Sequence, residues 1–112
     1  MQIQVHTDNH IDGSAGLQQQ VRELLEDKLR RFRPRITRLE VFFTDENSTA
    51  RSADDDKRCR LEARLNGLDP VSVSQRGASL TQALGGATRK LQSLLESTLG
   101  KLEGRRSDAS PE

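Results

Sequence analysis

KRCRLEARLN, residues 57–66, alternates with a period of two. Cys59, Leu61, Ala63 and Leu65 fall on one side, and Arg58, Arg60, Glu62 and Arg64 on the other. Successive side chains of a strand point to opposite faces, so this stretch predicts a strand with one buried face and one open face. Downstream, NGLDP at 66–70 is turn chemistry, and residues 71–74 predict a strand that returns as an antiparallel hairpin. Upstream, residues 36–44 alternate again. Leu39, Val41 and Phe43 share one face, and Arg38, Glu40, Phe42 and Thr44 the other. DENSTARSADDD at 45–56 is polar and acidic, and reads as a mobile connection. At the start of the chain, Ile3 and Val5 alternate with Gln2, Gln4 and His6, which predicts a short half-buried strand over 2–6.

Two segments carry helical periodicity instead. In 15–32, Leu17, Val21, Leu24, Leu25, Leu29 and Phe32 recur at steps of three and four, with Asp12 or Ser14 as N-cap. Pro34 disfavours helical backbone at Arg33, so this helix is expected to stop near there. Ser79 and Gln82 have the spacing of a capping box. Leu80, Ala83, Leu84, Ala87, Leu91, Leu94 and Leu95 then form a stripe to about residue 99, with Gly100 as the stop. Gly85 and Gly86 each cost such a helix up to about 1 kcal/mol relative to Ala, which points to a close approach to the sheet or the other helix.

Strand, helix, three strands, helix is thus the expected order: one α/β domain of the α+β two-layer kind over 1–103, with a disordered tail at 104–112. The economical packing lays both helices side by side on one face of a four-stranded sheet. Leu25, Leu61, Ala63, Leu84 and Leu91 are expected in the core between them. The other sheet face is left to solvent or a partner.

The composition removes several function classes. The chain has 112 residues, 32% of them hydrophobic and 31% charged, with no Trp or Tyr and three Phe. A deep aromatic-lined pocket is not available, so no small-molecule substrate is expected. No apolar run approaches the roughly 20 residues of a membrane span, and MQIQVHTDNH lacks the features of a signal peptide. The single Cys59 has no internal disulfide partner. Together these favour a cytoplasmic protein with no membrane partner. Cys59 lies between Arg58 and Arg60, but alternation turns their side chains to the opposite face and puts the thiol in phase with the core. His6, Asp8, His10 and Asp12 resemble a metal site only briefly: His10 takes an oxygen-ligand position of a calcium loop, and Gln19 stands at the closing Glu position. No metal, cofactor or catalytic residue is expected, and no enzyme signature is present.

What remains is charge. The run KLRRFRPRITR at 28–38 holds six basic residues and no acid, in a chain whose net charge is only +1. Charge gathered in one place suits a polyanion, and the commonest large one is nucleic-acid phosphate. Lys28, Arg30, Arg31, Arg33, Arg35 and Arg38 belong to this run, and Arg89 and Lys90 sit midway along the second helix. These eight are the candidate RNA-binding residues. Phe42, beside the sheet arginines, is a stacking platform for a base, a residue covered by a neighbouring chain, or simply an exposed one.

The order of elements and several residues resemble the ribosome hibernation promoting factors, the short ribosome-associated translation inhibitors. MQIQVHTDNHIDGSAGLQQQV, with Asn9 and Ala15, is similar to the family's first strand, turn and first helix. LEVFF at 39–43 matches its second strand, and RKLQSLL at 89–95 its second helix at Lys90, Leu91 and Leu95. The resemblance implies a β-α-β-β-β-α fold similar to a double-stranded RNA-binding domain, with two parallel helices carrying the basic patch. It implies binding to the small ribosomal subunit and its rRNA near the decoding channel, silencing of idle ribosomes, and no enzymatic activity. Lys90 is the residue it transfers as a phosphate contact. The chain departs from the family at Leu80, where an aromatic residue is usual, and at Ser93, Ser97 and Thr98, where Lys or Arg is usual. Without the further C-terminal domain of long members, it reads as a short form. The expected function is therefore a translation inhibitor that occupies the decoding region through phosphate contacts. The competing reading is a protein-interaction module without RNA, whose open sheet face meets an acidic or apolar protein surface; a homodimer through that face is one form of it.

Overall fold

The computed structural model describes residues 1–8, 11, 13–45 and 56–108, with the side chains of 101–108 left out. Its elements are β1 (Gln2–Thr7), α1 (Ala15–Lys28), a 3-10 helix (Arg30–Arg35), β2 (Ile36–Asp45), β3 (Lys57–Leu65), β4 (Val71–Gly77) and α2 (Leu80–Asp108). The four strands form one sheet in the order β1-β2-β3-β4. β1 and β2 are parallel, joined across the sheet by α1, and the other two pairings are antiparallel. Leu17 lies near Leu80, and Gln92 Nε2 donates to the Lys28 carbonyl, so the two helices run the same way side by side. The expected two-layer architecture is the observed one.

The alternation read in 57–66 fixes the register. Leu61 lies opposite Val41 on one side and Val73 on the other, and Ala63 opposite Leu39 and Val71. Cys59, Leu61, Ala63, Leu39 and Val41 are completely buried, as are Leu25, Leu29, Ala87, Leu91 and Leu95 from the helices. One irregularity interrupts the β2–β3 ladder between Ile36 and Arg38, and there the Thr37 hydroxyl donates to the Arg64 carbonyl at 3.1 Å. It satisfies an acceptor where an extra residue breaks the regular pairing.

Helix ends follow local chemistry. Ser14 Oγ accepts from the Leu17 amide at 3.2 Å, so Ser14 caps α1. At the start of α2, Ser79 Oγ accepts from Gln82 N, while Gln82 Oε1 reaches back to the Ala78 amide, one residue earlier than in the usual capping box. Two boundaries differ from expectation. α1 ends at Lys28 rather than near Arg33, and Arg30–Arg35 tightens into a 3-10 helix that contains Pro34. The Phe32 amide bonds to the Leu29 carbonyl, three residues back, and this tighter winding accommodates Pro34 and buries Phe32. α2 passes Gly100 and continues to Asp108, so 104–108, expected within a disordered tail, is helical. Gly stops a helix by taking positive φ, and among the described residues only Gly67 does so, at 75°. Residues 109–112 lie outside the described part, as do 46–55 of the expected mobile connection.

Gly86 is where α2 meets the sheet. A Cβ there would stand 2.5 Å from Gln75 Cγ of β4. Gly85, one residue earlier, has no neighbour nearer than the Arg89 Nη1, at 3.8 Å. Near the start of both helices, Leu17, Val21, Leu24, Phe43, Leu80 and Leu84 line an apolar cleft of about 140 Å³.

Replacing Leu61 or Leu91 by Ala should cost about 2–5 kcal/mol in urea unfolding, because each is a fully buried leucine. Gly85→Ala should stabilise by up to about 1 kcal/mol through helix propensity. Gly86→Ala should fall below it, because the same gain is set against displacement of Gln75. Equal effects at the two positions would mean that α2 does not rest on β4 through Gly86.

Candidate nucleic-acid interface

The candidate residues divide among four places. Lys28, at the end of α1, and Arg89, on α2, line one groove between the helices together with Leu24, Gly85, Thr88 and Gln92, a cleft of about 290 Å³. The Arg89 side chain folds back over Gly85, where the missing side chain leaves it room. Gln92 ties the walls of the groove through its bond to the Lys28 carbonyl at 2.9 Å. Thr88 is buried, and its hydroxyl is spent on the Leu84 carbonyl. Lys28 and Arg89 are exposed, and among the described residues neither has a carboxylate partner. A groove with one cation on each wall and no acid between them suits an anionic oxygen cluster.

The 3-10 helix carries the second set. Arg31 forms an ion pair with Glu96 of α2 and lies over the Phe32 ring at 4.6 Å. Half-buried Arg35 joins Arg31, Glu96 and Leu99 in lining a second cleft. Arg30 pairs with Asp27 at 3.2 Å, and exposed Arg33 has no carboxylate partner among the described residues. Arg30 and Arg31 are therefore partly neutralised by exposed acids, an interaction worth about 0–1 kcal/mol per pair and open to competition from phosphate.

Two candidates point elsewhere. Arg38 is on the opposite, open face of the sheet, where it donates to Gln4 Oε1 at 2.8 Å and Glu40 Oε1 at 3.1 Å. Lys90 follows Arg89 by about 100° around the helix and reaches the sheet edge instead of the groove. Its Nζ donates to the Ser74 carbonyl of β4 at 3.0 Å. Gln92 and Gly85, which shape the groove, were not among the candidates. Their signal was the glycine inside a helix, whose meaning depends on which side of α2 faces α1.

The open sheet face holds Phe42 in a stack. The His6 ring lies 4.7 Å from it at an interplanar angle of 15°, and the Arg60 guanidinium sits 4.1 Å from its centroid. Both ring faces are thus occupied from within the chain. His6 also bonds Glu40 at 3.3 Å, and Asp8 Oδ2 accepts from the Asp45 amide at 2.8 Å. Those two members of the considered metal set are engaged structurally, and His10 and Asp12 lie outside the described residues. No cluster of potential metal ligands occurs among the described residues. No described helix is long and apolar enough to cross a membrane.

Two parallel helices packed on one face of a four-stranded sheet define a small two-layer α+β domain. The family model described as sigma 54 modulation protein / S30EA ribosomal protein matches residues 3–103, and the chain belongs to that family. Solved structures share the fold, two of them as follows. One is a ribosomal subunit interface protein from Coxiella burnetii, 21% identical, with a TM-score of 0.66, covering 89% of this chain and 99% of that one. The other is the N-terminal domain of Protein Y from Thermus thermophilus, 18% identical, with a TM-score of 0.67, covering 88% and 99%. No curated protein matches the chain in sequence.

Burial pushes the Cys59 thiol up to about 12, well above its ordinary value. The thiolate is the nucleophile, so the folded chain should react with a disulfide reagent at pH 8 only as fast as it unfolds. The raised value also sets a pH dependence. The unfolded thiol ionises near 9 and the buried one does not until about 12, so stability is full below pH 9 and declines as pH rises from there toward 12. Cys59→Ala should remove that decline in alkaline denaturation curves. Rapid labelling of native protein at pH 8 would show the thiol to be accessible.

Proposed function

We propose that this chain binds the small ribosomal subunit through rRNA phosphates and blocks the decoding region, holding idle ribosomes out of translation. The observation that carries the reading is the groove between α1 and α2, where Lys28 and Arg89 stand unpaired among the described residues. Membership of an S30EA ribosomal protein family supports the choice of partner, and the similar fold described as a ribosomal subunit interface protein agrees with it. A ribosome-bound protein of this kind works in the cytoplasm and needs no cofactor or chemistry of its own.

The mechanism is steric and electrostatic. Lys28 and Arg89 take phosphates in the groove, and Arg33 adds a contact from the 3-10 helix. Arg31 and Arg35 join after phosphate competes with Glu96. The helices are fixed to the sheet by the core, so the binding face is organised before it meets RNA. Messenger or transfer RNA is then excluded by volume. Contacts to phosphate carry no base information, so affinity depends on salt far more than on sequence. The competing homodimer through the open sheet face gains no support. A two-fold interface sets the same patch against itself, and this one carries Arg38, Arg58, Arg60, Arg64 and Arg76 against Glu40 and Glu62.

Co-sedimentation with purified small subunits across a salt series tests the reading. Lys28→Gln with Arg89→Gln should weaken binding and lower the salt slope by roughly one unit for each phosphate left unneutralised. Arg31→Gln with Arg35→Gln should act in the same direction but less, because Glu96 already engages Arg31. Lys90→Gln should change little. Subunits loaded with the parent chain should fail to accept transfer RNA. A parent chain that does not sediment with small subunits at low salt would sink the proposal.

A further inference from the structure

The open face of the sheet breaks a rule of strand pairing. Arg38 lies directly opposite Arg64 across β2 and β3, and Arg58 directly opposite Arg76 across β3 and β4. Like charges directly opposite destabilise a sheet. Arg38 and Arg76 each have a partner, and the arginines left open on this face are Arg58 and Arg64. Glu40 is bonded to Arg38 and His6, and Glu62 lies 3.5 Å from Arg60. Arg58 and Arg64 have no carboxylate partner among the described residues. A face that met only water would gain from opposite charges at these positions. Departures from local consistency of this kind concentrate where a protein binds something.

Between the two arginine pairs runs the stack of His6, Phe42 and Arg60, crossing β1, β2 and β3 in one row. Its ends are the His6 ring and the Arg60 guanidinium, whose side chains are 45% and 39% exposed. Such planar ends extend a stack by one base. An acidic protein segment would match the arginines but would leave the planar ends unused. A single RNA strand uses both, with phosphates on Arg58 and Arg64 and a base on an end of the stack.

We propose that the open sheet face is a second RNA-binding surface, which takes a single strand through the arginines at 58 and 64 and the His6–Phe42–Arg60 stack. It is separate from the helical groove, and the domain then contacts RNA on both of its faces.

Binding of a 12-nucleotide oligouridylate across a salt series tests it. Arg58→Gln with Arg64→Gln should weaken binding about tenfold at low salt and lower the slope by about 1.4, two single-strand phosphates at about 0.7 each. Its melting temperature should equal or exceed the parent's, since each change removes one member of a like-charged pair. Phe42→Leu should weaken binding with the slope unchanged. Lys28→Gln with Arg89→Gln should weaken oligouridylate binding less than Arg58→Gln with Arg64→Gln does, even where it abolishes co-sedimentation with small subunits, so the two surfaces succeed or fail separately. Three results would each overturn the proposal. One is a parent chain that ignores the oligonucleotide at low salt. Another is an unchanged slope in the Arg58/Arg64 variant. The last is a dimeric parent made monomeric by that variant with oligonucleotide affinity intact.

Discussion

Over its first two turns the second helix meets the sheet largely through residues with almost no side chain. Ala83, Gly86 and Ala87 are buried under it, and at Gly86 the backbone comes so near Gln75 that a methyl group has no room. This near approach sets the height of α2 above β3 and β4. The height in turn decides what the flanking residues can reach. Lys90 is low enough to bond a carbonyl of β4, and Arg89 is turned the other way, into the groove against α1. A helix held higher by larger residues would part from the sheet, and dispersion attraction falls off steeply across such gaps. In a chain with only 32% hydrophobic residues, tight packing rather than bulk holds the layers together.

Much of this was legible from residue order. The strand over 57–65 shows its buried and open faces because one side of it meets a core and the other does not, and its neighbours inherit their register from it. Ser14 and Ser79 mark helix starts by the same local hydrogen bonds that they make in the structure. Other features were not legible, for reasons of geometry. Arg89 and Lys90 are neighbours in sequence and so looked like one pair, but a helix turns them apart. Arg38 belonged to an uninterrupted basic run, yet that run crosses from a 3-10 helix into a strand, and alternation sends Arg38 through to the other face. Gly100 looked like a stop because glycine permits a left-handed turn, but permission is not compulsion, and the helix continues through it.

Charge segregation gives the domain its character. Its net charge is only +1, so long-range attraction to a polyanion is weak, and binding must come from local placement. The basic run overstates what is available, because Asp27 engages Arg30, Glu96 engages Arg31, and Arg38 is turned away to Glu40. Those pairs are exposed and cheap to open, so they hold the arginines in extended positions without committing them. The acidic share of the chain thereby orders the basic side chains more than it cancels them.

Lys57 sits at the foot of the β2–β3 connection and joins its two ends. Its ammonium reaches Asp56 at 2.9 Å and Asp45 at 3.3 Å, and the hydrogen bond to Asp56, ahead of that to Asp45, holds its pKa above the ordinary lysine value. Both strands are thus fastened before the connection begins, and the ladder below does not depend on what residues 46–55 contain. Closing a longer loop over such a clasp adds only about 0.6 kcal/mol for each doubling of its length. The connection is accordingly the place where evolution or an experimenter can insert an epitope, a fluorophore-bearing peptide or a whole small domain while the two-layer body keeps its shape.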